Sequence, residues 1–151
     1  MKKVLMLALM GLLLLSACGA GEKIEAHDAW ARAAVQGENS AIYLLLHNHT
    51  AEDDELLSAS TDAAGIVELH ESRMVAGTDM MEMVPQASVP LPADGEVEFK
   101  PGGLHIMLIG LTRDLKVGDE ISLTLTFKSG LTLSLTVPVE EGMPGMEGMN
   151  H

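Results

Sequence analysis

The segment Gly-Gly-Leu-His-Ile-Met-Leu at residues 102–108 contains a histidine and a methionine two positions apart, His105 and Met107. In a β-strand, side chains two residues apart point to the same face, so these two would lie side by side. An imidazole nitrogen and a thioether sulfur directed at one point could provide half of a metal site. The alternative is that the strand is half-buried and the pair only fills space.

Further nitrogen and sulfur ligands lie upstream of this pair. His70 ends the segment Ile-Val-Glu-Leu-His, and Met-Met-Glu-Met occupies residues 80–83. If the strands that carry His70 and His105 are neighbours, the two imidazoles, Met107 and one methionine of the 80–83 segment could converge. Two imidazoles and two thioethers form a soft, uncharged ligand set, which favours Cu(I) over zinc, magnesium or calcium.

Methionine is both frequent and clustered in this chain. There are 11 methionines, and beyond the first 17 residues they lie in the loop-like 74–83 segment, at position 107 and near the C terminus. A hydrophobic core uses methionine sparingly, and exposed thioethers oxidise readily. The clustering therefore indicates a use as ligands.

Other chemistries fit the sequence less well. His27, His47 and His49 have no sulfur neighbour and are interpreted as structural or solvent-exposed. A blue-copper electron carrier needs a cysteine thiolate, and the single cysteine, Cys18, precedes the predicted domain. Because no nucleophile elbow or phosphate-binding loop is present, we expect no enzymatic activity.

The N-terminal segment has the features of a secretory signal at residues 1–17: two lysines, an apolar run and small residues before Cys18. Leu-Ser-Ala-Cys at 15–18 resembles the lipobox of bacterial lipoproteins, in which the cysteine is lipidated and becomes the new N terminus. We therefore expect an extracytoplasmic, membrane-anchored lipoprotein, in the periplasm or at the cell surface. The alternative is an ordinary signal peptide with a chance cysteine.

The chain is strongly acidic, with a formal net charge of −13 at pH 7. This sign excludes nucleic acid as a partner, because phosphate binding needs positive charge. An acidic surface also attracts cations, although it is usually only a solvated surface.

Short alternating segments separated by turn residues predict an all-β protein. The clearest is a hairpin at 121–127 and 131–137, and further strands are predicted at 27–33, 41–47, 55–60, 66–71, 96–100 and 105–109. Seven or eight such strands predict an antiparallel Greek-key β-sandwich or barrel. The predicted organisation is a signal peptide at 1–17, a tether at 18–25, the β-sandwich domain at 26–139 and a flexible Met-rich tail at 140–151.

These motifs resemble those of the periplasmic copper chaperone family written PCu(A)C. The resemblance rests on the segments AWARAA, IVELH, MEMVP and FKPGGLHIMLIGLTRDLKVGDEISLTLTF. The family's metal motif is His, ten residues, Met, 21 residues and His-x-Met. Here 21 residues separate Met83 from His105, but 12 separate His70 from Met83, and a spacer of ten would end at Met81. We therefore place a two-residue insertion in the loop at 72–79, with Met83 as the preferred ligand and Met81 as the fallback.

The resemblance implies a cupredoxin-like fold that binds one Cu(I) outside the cytoplasm. It also implies delivery of that ion to the copper-bearing subunit of cytochrome c oxidase, directly or through another chaperone, by a protein that we expect to be a monomer. Some members carry a Met- and His-rich extension that binds further copper, and the tail of this chain resembles it. The tail residues concerned, which could also take Cu(II) through the histidine, are Met143, Met146, Met149 and His151.

Two other functions remain open on the sequence. One is a copper-sequestration or resistance lipoprotein without a dedicated client. The other is a β-sandwich interaction module without metal, in which His105 and Met107 only pack.

Overall fold

The computed structural model describes residues 23–142. These residues form ten strands and no helix, so this part of the chain has no helix that could cross a membrane. The strands are β1 (Ile24–Arg32), β2 (Ser40–Asn48), β3 (Asp54–Ser60), β4 (Ala64–Met74), β5 (Met81–Pro85), β6 (Val89–Leu91), β7 (Glu96–Phe99), β8 (Leu104–Leu111), β9 (Glu120–Phe127) and β10 (Thr132–Glu140).

The strands form a continuous hydrogen-bonded series in the order β5-β4-β8-β7-β2-β1-β10-β9-β3-β6. Most neighbours are antiparallel, while β1 with β10 and the single residue pair between β7 and β8 are parallel. Buried apolar side chains from both halves of the series meet in one core, as Ile42 and Ile106 do with Leu123 and Val137. The predicted all-β, cupredoxin-like Greek-key sandwich is confirmed.

Alternation places one face of each strand in this core. In β9, Ile121, Leu123, Leu125 and Phe127 are buried, whereas the residues between them are exposed or half-buried. The predicted hairpin of β9 and β10 is therefore confirmed, with Leu125 paired to Leu133.

Some side chains on the outer face of strands β4, β8, β2 and β1 are buried as well. Trp30, Ala41 and Tyr43 form a small buried cluster there, separate from the main core. The rings of Trp30 and Tyr43 are 4.7 Å apart between centroids. Ala41 and Tyr43 of this cluster line the same cavity as His105 and Met107.

The strand predictions for the 66–91 region were incomplete. Strand β4 continues to Met74 instead of ending near residue 71, and the 80–83 segment interpreted as loop-like contains the start of strand β5. Strand β5 has only five residues and is exposed along most of its length, so the alternation in Met81-Glu82-Met83 is too short to predict a strand. Strand β6 has only three residues and was also missed.

Candidate metal centre

The two candidate histidines lie opposite each other on adjacent antiparallel strands. His70 of β4 pairs with His105 of β8, and the neighbouring pair is Leu69 with Ile106. Leu69 and Ile106 are buried in the core. Because side chains alternate along a strand, His70 and His105 both project from the outer face.

The thioethers reach the same face from two strands. Met107 pairs with Glu68, two residue pairs along the ladder from the two histidines and therefore on the same face. On the other side of β4, Met83 pairs with Ser72 and Met81 pairs with Met74. By alternation both Met81 and Met83 face the same side, but Met83 is two residue pairs closer to His70.

A cavity of about 250 Å³ lies at this point on the outer face. Met83, His105 and Met107 line it together with Tyr43 and Ser72. The structure therefore brings three of the four predicted ligands to one cavity.

The fourth predicted ligand, His70, lies beside His105, with ring centroids 5.9 Å apart. Met81 does not line the cavity among the residues that the structure describes. The geometry thus favours Met83 over Met81.

His105 is oriented by the backbone. Its side chain is almost fully buried, and Nδ1 lies 3.0 Å from the carbonyl oxygen of Gly103. A carbonyl oxygen only accepts, so Nδ1 must carry the proton. In the neutral ring, Nε2 then holds a free lone pair, and this buried atom has no hydrogen-bond partner in the described part of the chain.

His70 is oriented by a carboxylate in the complementary way. Its Nε2 donates to Oε2 of Glu68 over 2.7 Å, which leaves Nδ1 as the lone-pair nitrogen of the neutral ring. This Nδ1 is also buried and lacks a partner among residues 23–142. Buried polar atoms are rarely left unpartnered, so two such nitrogens on facing residues make this position a candidate ligand site.

The ligand set suits a soft cation. Two imidazole lone pairs and two thioethers carry no charge, and the Glu68 carboxylate beside His70 can balance one positive charge. Within residues 23–142, no group of three or more His, Cys, Asp or Glu side chains is arranged to hold a metal ion. The candidate site therefore depends on methionine sulfur.

The remaining described histidines lie on the surface and contact carboxylates. His49 and His27 approach Oε2 of Glu25 at 3.1 and 3.2 Å, and His47 Nδ1 lies 3.5 Å from Glu96. The hydrogen bond from His49 is the largest of the effects that lower the pKa of Glu25. Their interpretation as structural or solvent-exposed agrees with these positions.

Four residues of the site were missed by sequence reasoning: Tyr43, Glu68, Ser72 and Gly103. Glu68 could have been found, because an acid two residues before His70 on a strand lies on the same face. The contribution of Gly103 is a backbone carbonyl, for which side-chain patterns carry no signal. Cys18 and the tail group Met143, Met146, Met149 and His151 lie outside the described residues.

Comparisons with known proteins give a consistent assignment. The family model described as "Putative lipoprotein LpqE-like" matches residues 24–139. The putative lipoprotein Lxx21020 of Leifsonia xyli subsp. xyli is 32% identical over 118 residues, which is 78% of this chain and 70% of that protein.

Two solved structures share the fold. The copper-bound PCuAC domain from PmoF2 has a TM-score of 0.64 and 25% identity, over 78% of this chain and 92% of that one. The solution structure of CuI-DR1885 from Deinococcus radiodurans has a TM-score of 0.60 and 28% identity, over 84% and 86% of the two chains. The chain therefore belongs to the LpqE-like family of putative lipoproteins, and its resemblance to the PCu(A)C domains is confirmed.

Proposed function

We propose that this protein is an extracytoplasmic copper chaperone that holds one Cu(I) in the cavity on the outer face of β4, β5 and β8. The proposed ligands are His70, Met83, His105 and Met107. The observation that carries this proposal is the pair of buried imidazole nitrogens without partners, His70 Nδ1 and His105 Nε2, beside two thioethers.

The donor chemistry supports copper in its reduced state. Thioether sulfur is a soft ligand that prefers Cu(I) and binds hard cations poorly. Two solved relatives are described as copper-bound and as the Cu(I) form, and the same ion suits the ligands here.

The differing burial of the ligands suggests how copper is held and released. His105 is 4% exposed and fixed by Gly103, whereas the Met83 residue is 59% exposed on the outermost strand. An incoming protein can therefore replace Met83 first and the histidines last. One copper–ligand bond forms as another breaks, so the ion moves by stepwise exchange and nothing is turned over.

The proposed client is the copper-bearing subunit of cytochrome c oxidase, reached directly or through another chaperone. Anchoring at Cys18 would confine the protein to a membrane surface near such a client. Replacing Cys18 by serine should release the protein from the membrane fraction, and retention there would contradict the anchor.

The C-terminal tail is proposed as a secondary copper-binding segment. A C-terminal segment with several thioethers and a histidine would raise the local copper concentration at the main site. Removing residues 143–151 should lower the number of copper ions bound without weakening the tight site. Unchanged stoichiometry would contradict a role for the tail.

The main experiment is an anaerobic Cu(I) titration against a competing chelator, with residue-specific NMR of histidine and methionine-methyl signals. We expect one tight equivalent that shifts the signals of the four proposed ligands. The double variant H105A/M107A should lose this equivalent. A variant that stays folded and keeps tight binding would overturn the proposal in favour of a metal-free interaction module.

Replacing the buried His105 by alanine also leaves a cavity, so this double variant could be destabilised. The conservative variant M83L/M107L keeps apolar volume, and such swaps usually cost less than about 1.5 kcal/mol. It should remain folded and still lose tight copper binding, which keeps the test independent of stability.

A further inference from the structure

The hairpin formed by β4 and β5 carries more exposed methionine than the proposed site uses. Met74, Met80 and Met81 are 64%, 67% and 52% exposed. Side chains this exposed add little to the core, and a thioether on the surface is open to oxidation. Leucine would serve equally well for packing, so the choice of sulfur needs another explanation.

Met74 and Met81 form a cross-strand pair. They lie directly opposite each other in the β4–β5 ladder, and the next pair on the same face is Ser72 with Met83. Directly opposed residues in an antiparallel ladder have Cβ atoms about 4.5–5.5 Å apart, close enough for two flexible thioethers to share one ion. The same face leads along β4 to His70 and the proposed copper site.

The hairpin around this pair is well defined. Arg73 Nε donates to Glu82 Oε1 over 3.0 Å on the opposite face. Val75 N–H donates to the carbonyl of Met80 over 2.8 Å, and Gly77 has a φ of 78° in the turn. Glycine adopts this left-handed conformation without strain, so the turn fixes the register that brings Met74 opposite Met81.

We propose that Met74 and Met81 form a second, weaker Cu(I) site through which the ion enters or leaves the main site, with Met83 shared between the two. The proposal rests on the proposed function, because it takes the same ion. The order of affinity follows from the ligands: a site of thioethers alone binds Cu(I) less firmly than one that adds two imidazoles. Transfer is a ligand exchange at Met83, without change in oxidation state.

The test uses the full chain under anaerobic conditions, with Cu(I) added to beyond one equivalent and methionine-methyl signals followed residue by residue. We expect the first equivalent to shift Met83 and Met107, and further Cu(I) to shift Met74 and Met81. The tail methionines are distinguished by their own signals, so they do not obscure the result.

The variant M74L/M81L should keep the first tight equivalent, lose the hairpin response and release Cu(I) to a chelator severalfold more slowly. M80L, which changes a thioether in the turn outside the pair, is the matched control and should behave as the wild type. The proposal is overturned if Met74 and Met81 do not respond to copper, or if M74L/M81L releases copper at the wild-type rate. Failure of the first equivalent, by contrast, would refute the main site.

Discussion

His70 and His105 face each other across adjacent strands, but their rings are held by different groups and through opposite nitrogens. Glu68 accepts from Nε2 of His70, and the Gly103 carbonyl accepts from Nδ1 of His105. Each contact sets the tautomer, and in both neutral rings the lone pair is then on the unpartnered nitrogen. Glu68 and Gly103 therefore determine which nitrogen of each histidine is available to a metal ion.

The contact between Glu68 and His70 predicts a graded effect on copper binding. Glu68→Ala should lower Cu(I) affinity by about 10- to 100-fold, the usual cost of losing a group that orients a metal-binding histidine. Glu68→Gln should lose less, because its amide oxygen can still accept from Nε2. Chelator competition measures both, and equal affinity of Glu68→Ala and wild type would contradict the orienting role.

The choice between Met83 and Met81 can be decided by a matched pair of variants. Met83→Leu should lower the Cu(I) affinity of the tight site by at least about tenfold. Losing a residue that only orients a metal ligand already costs about 10- to 100-fold, and Met83 is a proposed ligand itself. Met81→Leu should leave the affinity of the tight site unchanged, because Met81 lies two residue pairs further from His70 than Met83 does. Both residues are exposed, so neither change should alter thermal stability. The opposite ranking in chelator competition would make Met81 the ligand.

Local alternation was sufficient to predict the β9–β10 hairpin and the strands that carry His70 and His105. It could not predict β5, because that strand has only five residues and is exposed along most of its length. Nor could spacing decide between Met81 and Met83, since residues two apart on a strand share a face. The pairing of β4 with β8 joins residues distant in sequence, so the neighbourhood of the two histidines could only be assumed until the topology was known.

A separate prediction concerns acid stability at the start of β3. Burial alone would raise the pKa of Asp54, but hydrogen bonds from Ser129 and the Glu55 backbone outweigh it, so the pKa is lowered. An ionised carboxyl with a lowered folded-state pKa stabilises the fold. This contribution is complete above the ordinary value of 3.8 and is lost as the pH falls below it, through the lower folded-state value.

Asp54→Asn keeps an acceptor oxygen but cannot ionise, so its stability should fall less than that of the wild type between pH 7 and about pH 3. Urea unfolding at the two pH values measures the difference. Asp79→Asn, which changes an exposed aspartate in the β4–β5 turn, is the control and should follow the wild type. If Asp54→Asn and wild type lose stability equally, the carboxylate contacts do not contribute to acid sensitivity.

Deletion of the gene would distinguish a chaperone that delivers copper from a protein that only sequesters it. A chaperone deletion should lower assembly of the oxidase copper centre when copper is scarce, and added copper should restore it, because the missing step is supply. Re-expression of Met80→Leu should also restore assembly, whereas Met83→Leu should not, since the ion must be held before it is passed on. Oxidase activity and bound copper in membranes are the measurements. A deletion strain with normal oxidase but greater copper sensitivity would instead identify a sequestration protein, which needs the same Cu(I) site but no client to receive the ion.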